Sequence, residues 1–255
     1  IPLINILVYS KINKELTTAF GNNFMEVIIG GAALNSEVEK FLKKIKFRYT
    51  VGYGMTECGP LISYAPWRKV RTYSCGKAIP CVTIKIDSPD PENIVGEILV
   101  KGDNVMKGYY KNEEITEATI SPDGWLYTGD LGIVDKDGYL FIKGRSKNMI
   151  LSSSGQNVYP EEIEAKSNNL PYVLESLVVE KDGKLVALIV VDRDAVKAAG
   201  ITEDKLKAIM EQNHKHLNSH LPNYMNVSKF IIHDGEFEKT AKRSIKRFMY
   251  DATNA

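Results

Sequence analysis

The 255 residues predict an α/β protein in two parts: a parallel α/β sheet continuing into a small distorted β-barrel, then a separate small α/β unit. Three observations carry this. Residues 24–51 alternate an apolar run, a Gly-Gly turn, a helical stretch and a second apolar run, the order of a parallel sheet. From 76 to 110 the pattern changes to short strands and turns, and beyond Lys147 helix and strand signals return. At about 150 residues per domain, two domains are the prior. The boundary is placed between 144 and 145, with the sheet over 1–60 and the barrel over 61–144.

Residues 1–20 read as a helix closing at Gly21-Asn22-Asn23. Residues 24–29 read as a buried strand entering the Gly30-Gly31 turn. Asn35 or Ser36 caps a helix through Ile45, and Ser36 precedes Glu39 at the capping-box spacing. A strand over 47–51 leads into GYGMTECGP, where Thr56 and Glu57 stand at an expected helix start. Ligands of open α/β sheets bind beyond the carboxyl ends of the strands, where both glycine-bearing turns sit.

The barrel module follows as VTIKID, the SPDPEN turn, GEILVKG and NVMKGYY, then a short helical stretch over 111–120. Strands over 131–134 and 139–142 flank Asp135-Lys136-Asp137-Gly138, whose Asp-Gly is a hairpin signal. Asp130 is expected to close one strand at a Gly-Asp turn, and Arg145 follows the returning strand, so the hairpin brings the two to one end. A carboxylate beside a planar fork of donors suits a diol such as a ribose edge. A turn Asp and an unrelated surface Arg remain the alternative. Further on, Pro160 opens a helix with Glu161 and Glu162 in its first turn. Strands over 177–180 and 185–191 flank a KDGK turn, a helix runs from Thr202 to Leu221, and a strand covers 227–232. A basic terminal helix is expected from Lys242.

Composition narrows the function. With 25% charged residues, 44% hydrophobic residues and a net charge of +1, the chain carries no strong field for nucleic acid or an anionic membrane. Its longest apolar run, 185–191, is far below the roughly 20 residues that span a bilayer. Cys58, Cys75 and Cys81 form no CxxC pair, which fits a reduced, cytoplasmic protein without disulfides or a zinc site. His216 and His220 have zincin spacing, but Leu217 stands where the general-base Glu would be, so a metalloprotease is rejected. Cys58 has no neighbouring His and reads as a packed thiol. The chain opens without Met in mid-pattern and reads as part of something longer.

GYGMTE, the TGD ending at Asp130 and the GRSKN beginning at Gly144 together resemble the adenylate-forming superfamily of acyl-CoA synthetases, luciferases and peptide-synthetase adenylation domains. The flavour is most like a long-chain fatty acid–CoA ligase. The resemblance implies the end of a large adenylation domain followed by a mobile lid. It also implies that Asp130 and Arg145 hold the ATP ribose, that Tyr53 beside Gly54 lies against adenine, that Thr56 contacts phosphate, and that Glu57 holds Mg²⁺. The GGAAL turn, with Ala33 in place of the family's Pro, puts Gly31 and Ala32 at the nucleotide. GKAIPC and GEILVKGDNVMKGYY match structural landmarks, Lys147 is the lid's hinge, and Gly155 lies near the pantetheine path of coenzyme A. The implied reaction joins ATP and a fatty acid to acyl-adenylate and pyrophosphate, after which coenzyme A displaces AMP.

Three departures qualify it. No Ser/Thr/Gly-rich phosphate loop is found, so residues 1–255 alone are expected to be inactive. The family's T-x-x-G-K-x-x-R motif matches Thr240 to Arg247 with Ser244 at the lysine position, leaving Lys242 and Lys246 as candidates for the adenylation lysine. Leu151 stands where some relatives carry a lysine facing the thioester-forming site. Rival readings are an adenylation domain that loads a carrier protein and a nucleotide-binding module that has lost catalysis. Peripheral membrane contact through the acyl product is left open.

Overall fold

The computed structural model describes residues 2–152, 154–241 and 243–250, with side chains from residue 5 onward. Contacts divide the chain into two compact units, Ile1–Ser146 and Lys147–Ala255.

The first unit begins with α1 (Pro2–Ala19), β1 (Val27–Ile29), α2 (Ser36–Lys44) and β2 (Tyr49–Val51). β1 and β2 pair in parallel, Val27 opposite Tyr49 and Ile29 opposite Val51. The strand is shorter than expected and not buried: Ile28 is 59% exposed, because β1 alternates one side chain inward and one to solvent. Asn35, not Ser36, is the helix cap, its side chain accepting from the N–H groups of Glu37 and Val38. Glu39 turns inward instead of back, accepting from Tyr73 N at 2.9 Å.

A three-stranded antiparallel sheet follows: β3 (Tyr53–Gly54), β4 (Leu61–Tyr64) and β5 (Lys77–Ala78). Next come β6 (Val82–Asp87), β7 (Gly96–Gly102), α3 (Glu113–Thr119), β8 (Leu126–Val134) and β9 (Leu140–Arg145). The expected distorted barrel takes the form of a four-stranded meander, β6-β7-β8-β9, and among the described residues its pairings do not close. Alternating strand residues bury Val82, Ile86, Ile98, Val100, Leu126 and Leu140 against Tyr53, Cys58 and Ile62. That core carries the loop ends described below.

The second unit contains the hairpin β10 (Ile150–Leu151) and β11 (Asn157–Val158), then α4 (Pro160–Ser167), β12 (Val173–Lys181) and β13 (Lys184–Val191). It ends with α5 (Arg193–Ala198), α6 (Glu203–Ser219) and β14 (Val227–Ile232). α5 is not among the elements expected from sequence; Asp192 caps it by accepting from Ala195 N. The sheet order is β12-β13-β14, antiparallel then parallel. One face packs Val178, Ala187 and Ile189 against Ile163 of α4 and Leu206, Met210 and Leu217 of α6. The other face, Leu177, Val179, Val186, Leu188 and Val190, is covered by Phe237, with Ile245 and Tyr250 against it.

The terminal helix expected from Lys242 is a correction. Thr240 N donates to Ser244 O at 2.9 Å, Arg243 N to Thr240 O at 2.8 Å, and Lys239 bridges Ile245 antiparallel. Arg243 holds φ of 61°, which a helix cannot contain. The only helical piece described after it is a single 3₁₀ turn, Arg247–Met249. Packing of Ile245 on the sheet outweighs the helix propensity of a Lys/Arg-rich stretch.

Candidate functional site

In the first unit, the parallel pair β1-β2 delivers two glycine turns side by side. Gly52 N donates to Ile29 O at 2.9 Å, and a Cβ on Gly30 would meet Gly52 O at 3.2 Å. Gly31 (φ 83°) and Ala32 follow in the open, both exposed, and on the neighbouring strand the chain passes through Gly52 into Tyr53. Two polypeptide turns therefore lie where a ligand of a parallel sheet would sit.

GYGMTECGP folds as a hairpin, β3 against β4, not as a strand entering a helix. Thr56–Cys58 is one 3₁₀ turn between them. Met55 N donates to Pro60 O at 2.8 Å, and a Cβ on Gly54 would lie 2.1 Å from that same oxygen, so only glycine closes the loop. Thr56 projects into solvent, whereas Glu57 is half-buried. Cys58 is fully buried, and burial pushes its thiol up to about 11, so it packs as expected instead of reacting.

Asp130 is not at a strand end. It lies within β8, directly opposite Arg145 of β9. Between Tyr127 and Leu131, β8 carries more residues than the β7 stretch it faces, and Gly129 takes φ of 69° in this bulge. Thr128 Oγ1 donates to Ile98 O at 2.7 Å and Gly129 N donates to Glu97 Oε1 at 2.9 Å, which pins the bulge. The bulge aims a carboxylate that is only 6% exposed. Arg145 Nε donates to its Oδ1 at 2.9 Å and Tyr53 Oη donates to its Oδ2 at 2.7 Å.

Tyr53 thus joins the pair across 77 positions, a link that no local spacing could reveal. Its ring is 8% exposed, and its hydroxyl is pushed well above the usual tyrosine range by burial and then by the Asp130 charge. It is therefore a firm donor, and it holds Asp130 rather than offering an open face. Arg145 is half-exposed, its side chain at 53%, so its remaining donors face water. The result is an anchored carboxylate with lone pairs to spare beside an accessible guanidinium.

Sequence reasoning also missed Tyr109. Its hydroxyl donates to Glu57 Oε1 at 3.0 Å, and Met106 N donates to Glu57 O at 2.8 Å. The GYY segment that reads as a structural landmark therefore orients the Glu57 carboxylate. Among the described residues no three His, Cys, Asp or Glu side chains converge as a metal cage. One oriented carboxylate suits Mg²⁺, which keeps waters and takes one or two carboxylates plus phosphates.

In the second unit, Lys147 is exposed within the 3₁₀ turn Ser146–Asn148, where the division between the units falls. Gly155 sits exposed at φ of 77° in the turn joining β10 to β11, with Gly155 N donating to Ser152 O at 2.9 Å. Leu151 beside it is exposed. Lys242 lies outside the described residues. Lys246 is half-exposed, with Nζ 3.9 Å from Glu238 Oε2. Ser244 and Lys246 flank the inward Ile245, so alternation puts both on the face away from the sheet. Arg243, which the sequence resemblance puts at the motif's glycine position, has the left-handed backbone that glycine adopts freely.

No helix among the described residues is long and apolar enough to cross a membrane.

Comparison with known proteins identifies the family of the chain. The profile of the AMP-binding enzyme family matches residues 4–110, and that of the AMP-binding enzyme C-terminal domain matches 147–253. A 4-coumarate–CoA ligase 5 of Oryza sativa subsp. japonica is 35% identical over 223 residues, 81% of this chain and 41% of that protein. The long-chain-fatty-acid–CoA ligase ACSBG1 of Bos taurus is 33% identical over 73% of this chain and 25% of its own length. Among solved structures, the o-succinylbenzoate coenzyme A synthetase MenE of Bacillus subtilis, with ATP and magnesium ion, superposes with a TM-score of 0.71 at 26% identity. That match covers 92% of this chain and 49% of MenE, and the same enzyme with the acyl-adenylate intermediate OSB-AMP gives a TM-score of 0.74. The chain spans about two fifths or less of the curated relatives named here.

Proposed function

Because this chain belongs to the adenylate-forming AMP-binding enzymes, we propose that it is the nucleotide-gripping portion of an ATP-dependent acyl-CoA ligase acting on a fatty acid. The observation that carries the reading is Asp130 held by Arg145 and Tyr53, with Glu57, on the loop that follows Tyr53, oriented by Tyr109.

In this reading Asp130 accepts the ribose hydroxyls through lone pairs left over from its two partners, and Arg145 donates to the sugar edge. Gly31, Ala32 and Gly54 keep backbone close to the base, with Tyr53 behind it as the support of Asp130. Thr56 donates to a phosphate oxygen. A Mg²⁺ held by Glu57 would supply charge neutralisation where negative oxygens must approach each other. The fatty acid carboxylate forms a bond to the α-phosphorus as the bond to pyrophosphate breaks. The sulfur of coenzyme A then bonds to the acyl carbon, the bond to AMP breaks, and the thiol proton leaves to solvent. Lys147 serves as the hinge of the lid, Gly155 lines the pantetheine path, and Lys246 or Lys242 supplies the cation of the first step. The protein works in the cytoplasm, and the acyl product sets any contact with a membrane surface.

The fatty-acid assignment rests on the GGAAL and GYGMTECGP segments. Ser244 favours a second reading, a nucleotide-binding module without turnover, because the turn keeps its shape while the lysine position holds a hydroxyl. Both readings are tested by AMP formation in the full-length protein with ATP, Mg²⁺ and an acid series, with and without coenzyme A. AMP that depends on both a fatty acid and coenzyme A supports the ligase; bound nucleotide with no AMP under any condition supports the second reading. Equal turnover with coumarate-like acids would remove the fatty-acid assignment.

A further inference from the structure

The second unit holds one polar cluster that the proposed reaction leaves unused. Glu164, on α4, is buried; its Oε1 accepts from Val178 N at 2.7 Å, and its Oε2 accepts from Arg247 Nη2. Arg247 Nη1 donates to Val178 O at 3.4 Å, and Nη2 also stands 3.9 Å from Glu161 Oε1. Glu161 in turn accepts from Asn148 Nδ2 at 2.6 Å.

Among the described residues β12 is an edge strand, paired with β13 alone. Glu164 and Arg247 together take the N–H and the C=O of Val178, as a neighbouring strand would. They thereby join the helix layer on one face of the sheet to the terminal segment on the other. Two carboxylates face one guanidinium. Burial pushes Glu164 up to about 7, Glu161 pushes the same way, and Arg247 and the Val178 N–H oppose them.

We propose that Arg247 is a positioning residue: clamped by Glu164, Glu161 and the Val178 carbonyl, it fixes the register in which the terminal turn presents Ser244 and Lys246, and Asn148 ties Glu161 to the segment beside Lys147. The inference rests on the ligase reading for its catalytic meaning, but the clamp itself does not. The chain from Ile245, seated on the sheet, to Arg247, seated on α4, is pinned at both ends. No slippage of the turn that would bring Lys246 into the Ser244 position is open to it without releasing one anchor. Lys246 must reach by side-chain length alone.

Two measurements test this separately. Trypsin cleavage after Arg243 in the 255-residue chain reports how tightly the turn is held. Glu164→Ala and Arg247→Ala should each speed that cleavage by about fivefold or more, and Arg247→Lys should recover part of the protection, since the hydrogen bonds of the clamp are being removed or replaced. In the full-length protein, Glu164→Ala should lower kcat for acid-dependent AMP formation by about fivefold while leaving the KM for ATP within about twofold. Wild-type cleavage rates in both Glu164→Ala and Arg247→Ala overturn the clamp whatever the activity. Faster cleavage with unchanged kcat overturns the positioning role. A wild-type protein that makes no AMP defeats the ligase reading, while the cleavage rates still uphold or overturn the clamp by themselves.

Discussion

The hairpin end around Asp130 and the terminal turn around Ser244 both fall on segments that resemble family motifs, and they differ in how far the resemblance extends. At Asp130, residue types and geometry agree: the carboxylate, the guanidinium and the tyrosine converge within hydrogen-bonding distance. At the terminal turn, the resemblance extends to the backbone and not to the chemistry. Arg243 holds the left-handed conformation, and in the proposed match Ser244 stands at the lysine position. A turn is specified by backbone hydrogen bonds and by Ile245 packing, which tolerate many side chains. The ribose grip proposed at Asp130 would be specified by the functional groups themselves.

The comparison can be broken most forcefully at Lys246. If the ligase cation has moved there, Lys246→Ala in the full-length protein should lower acid-dependent pyrophosphate exchange on the order of 100-fold. Ser244→Lys in the same chain should restore it to within about tenfold. An unaffected Lys246→Ala variant would leave the terminal turn without a catalytic cation among its described residues. Next in size is Asp130→Ala, which strands Arg145 and the buried Tyr53 hydroxyl. A hydrogen bond to a charged group is worth about 1.5–3 kcal/mol, so the KM for ATP should rise roughly 10- to 100-fold.

A pH experiment sharpens the terminal side. Because Glu164 sits at about 7 in the folded chain, above its ordinary 4.5, the folded state binds its proton more tightly than the unfolded state does. Its stabilising contribution is complete below about 4.5 and is lost as pH rises through about 7. Melting temperatures should therefore show wild type losing ground to Glu164→Gln between pH 5 and pH 8; a constant difference would refute this. The smallest effect belongs to Arg243→Gly. Relief of the positive φ should add about 1 kcal/mol, read as a higher urea midpoint at unchanged slope.

Legibility in the sequence followed the range of the interactions. Asp130 and Arg145 are readable as a pair because one hairpin joins them. Their setting is not: Gly129 looks like a turn, and it is a bulge inside a long strand. Tyr53 meeting Asp130, and Tyr109 meeting Glu57, connect separate strands and segments, and no periodicity encodes such a meeting. The terminal segment reads as a helix because Lys and Arg favour helices, while the sheet face that claims Ile245 is built by residues far upstream. The layered α/β plan, by contrast, is carried by hydrophobic alternation, which is local.

The two-sided sheet of the second unit also sets an order of assembly on the ribosome. The helices that cover its first face lie between its strands or before them, so that side can close as soon as β14 emerges. Leu177, Val179, Val186, Leu188 and Val190 must wait for Phe237, Ile245 and Tyr250. Until synthesis passes Tyr250, the growing chain displays a continuous aliphatic strip on a formed sheet. A nascent chain stalled in that window is the species most prone to aggregate, and the one a holdase would be expected to grasp.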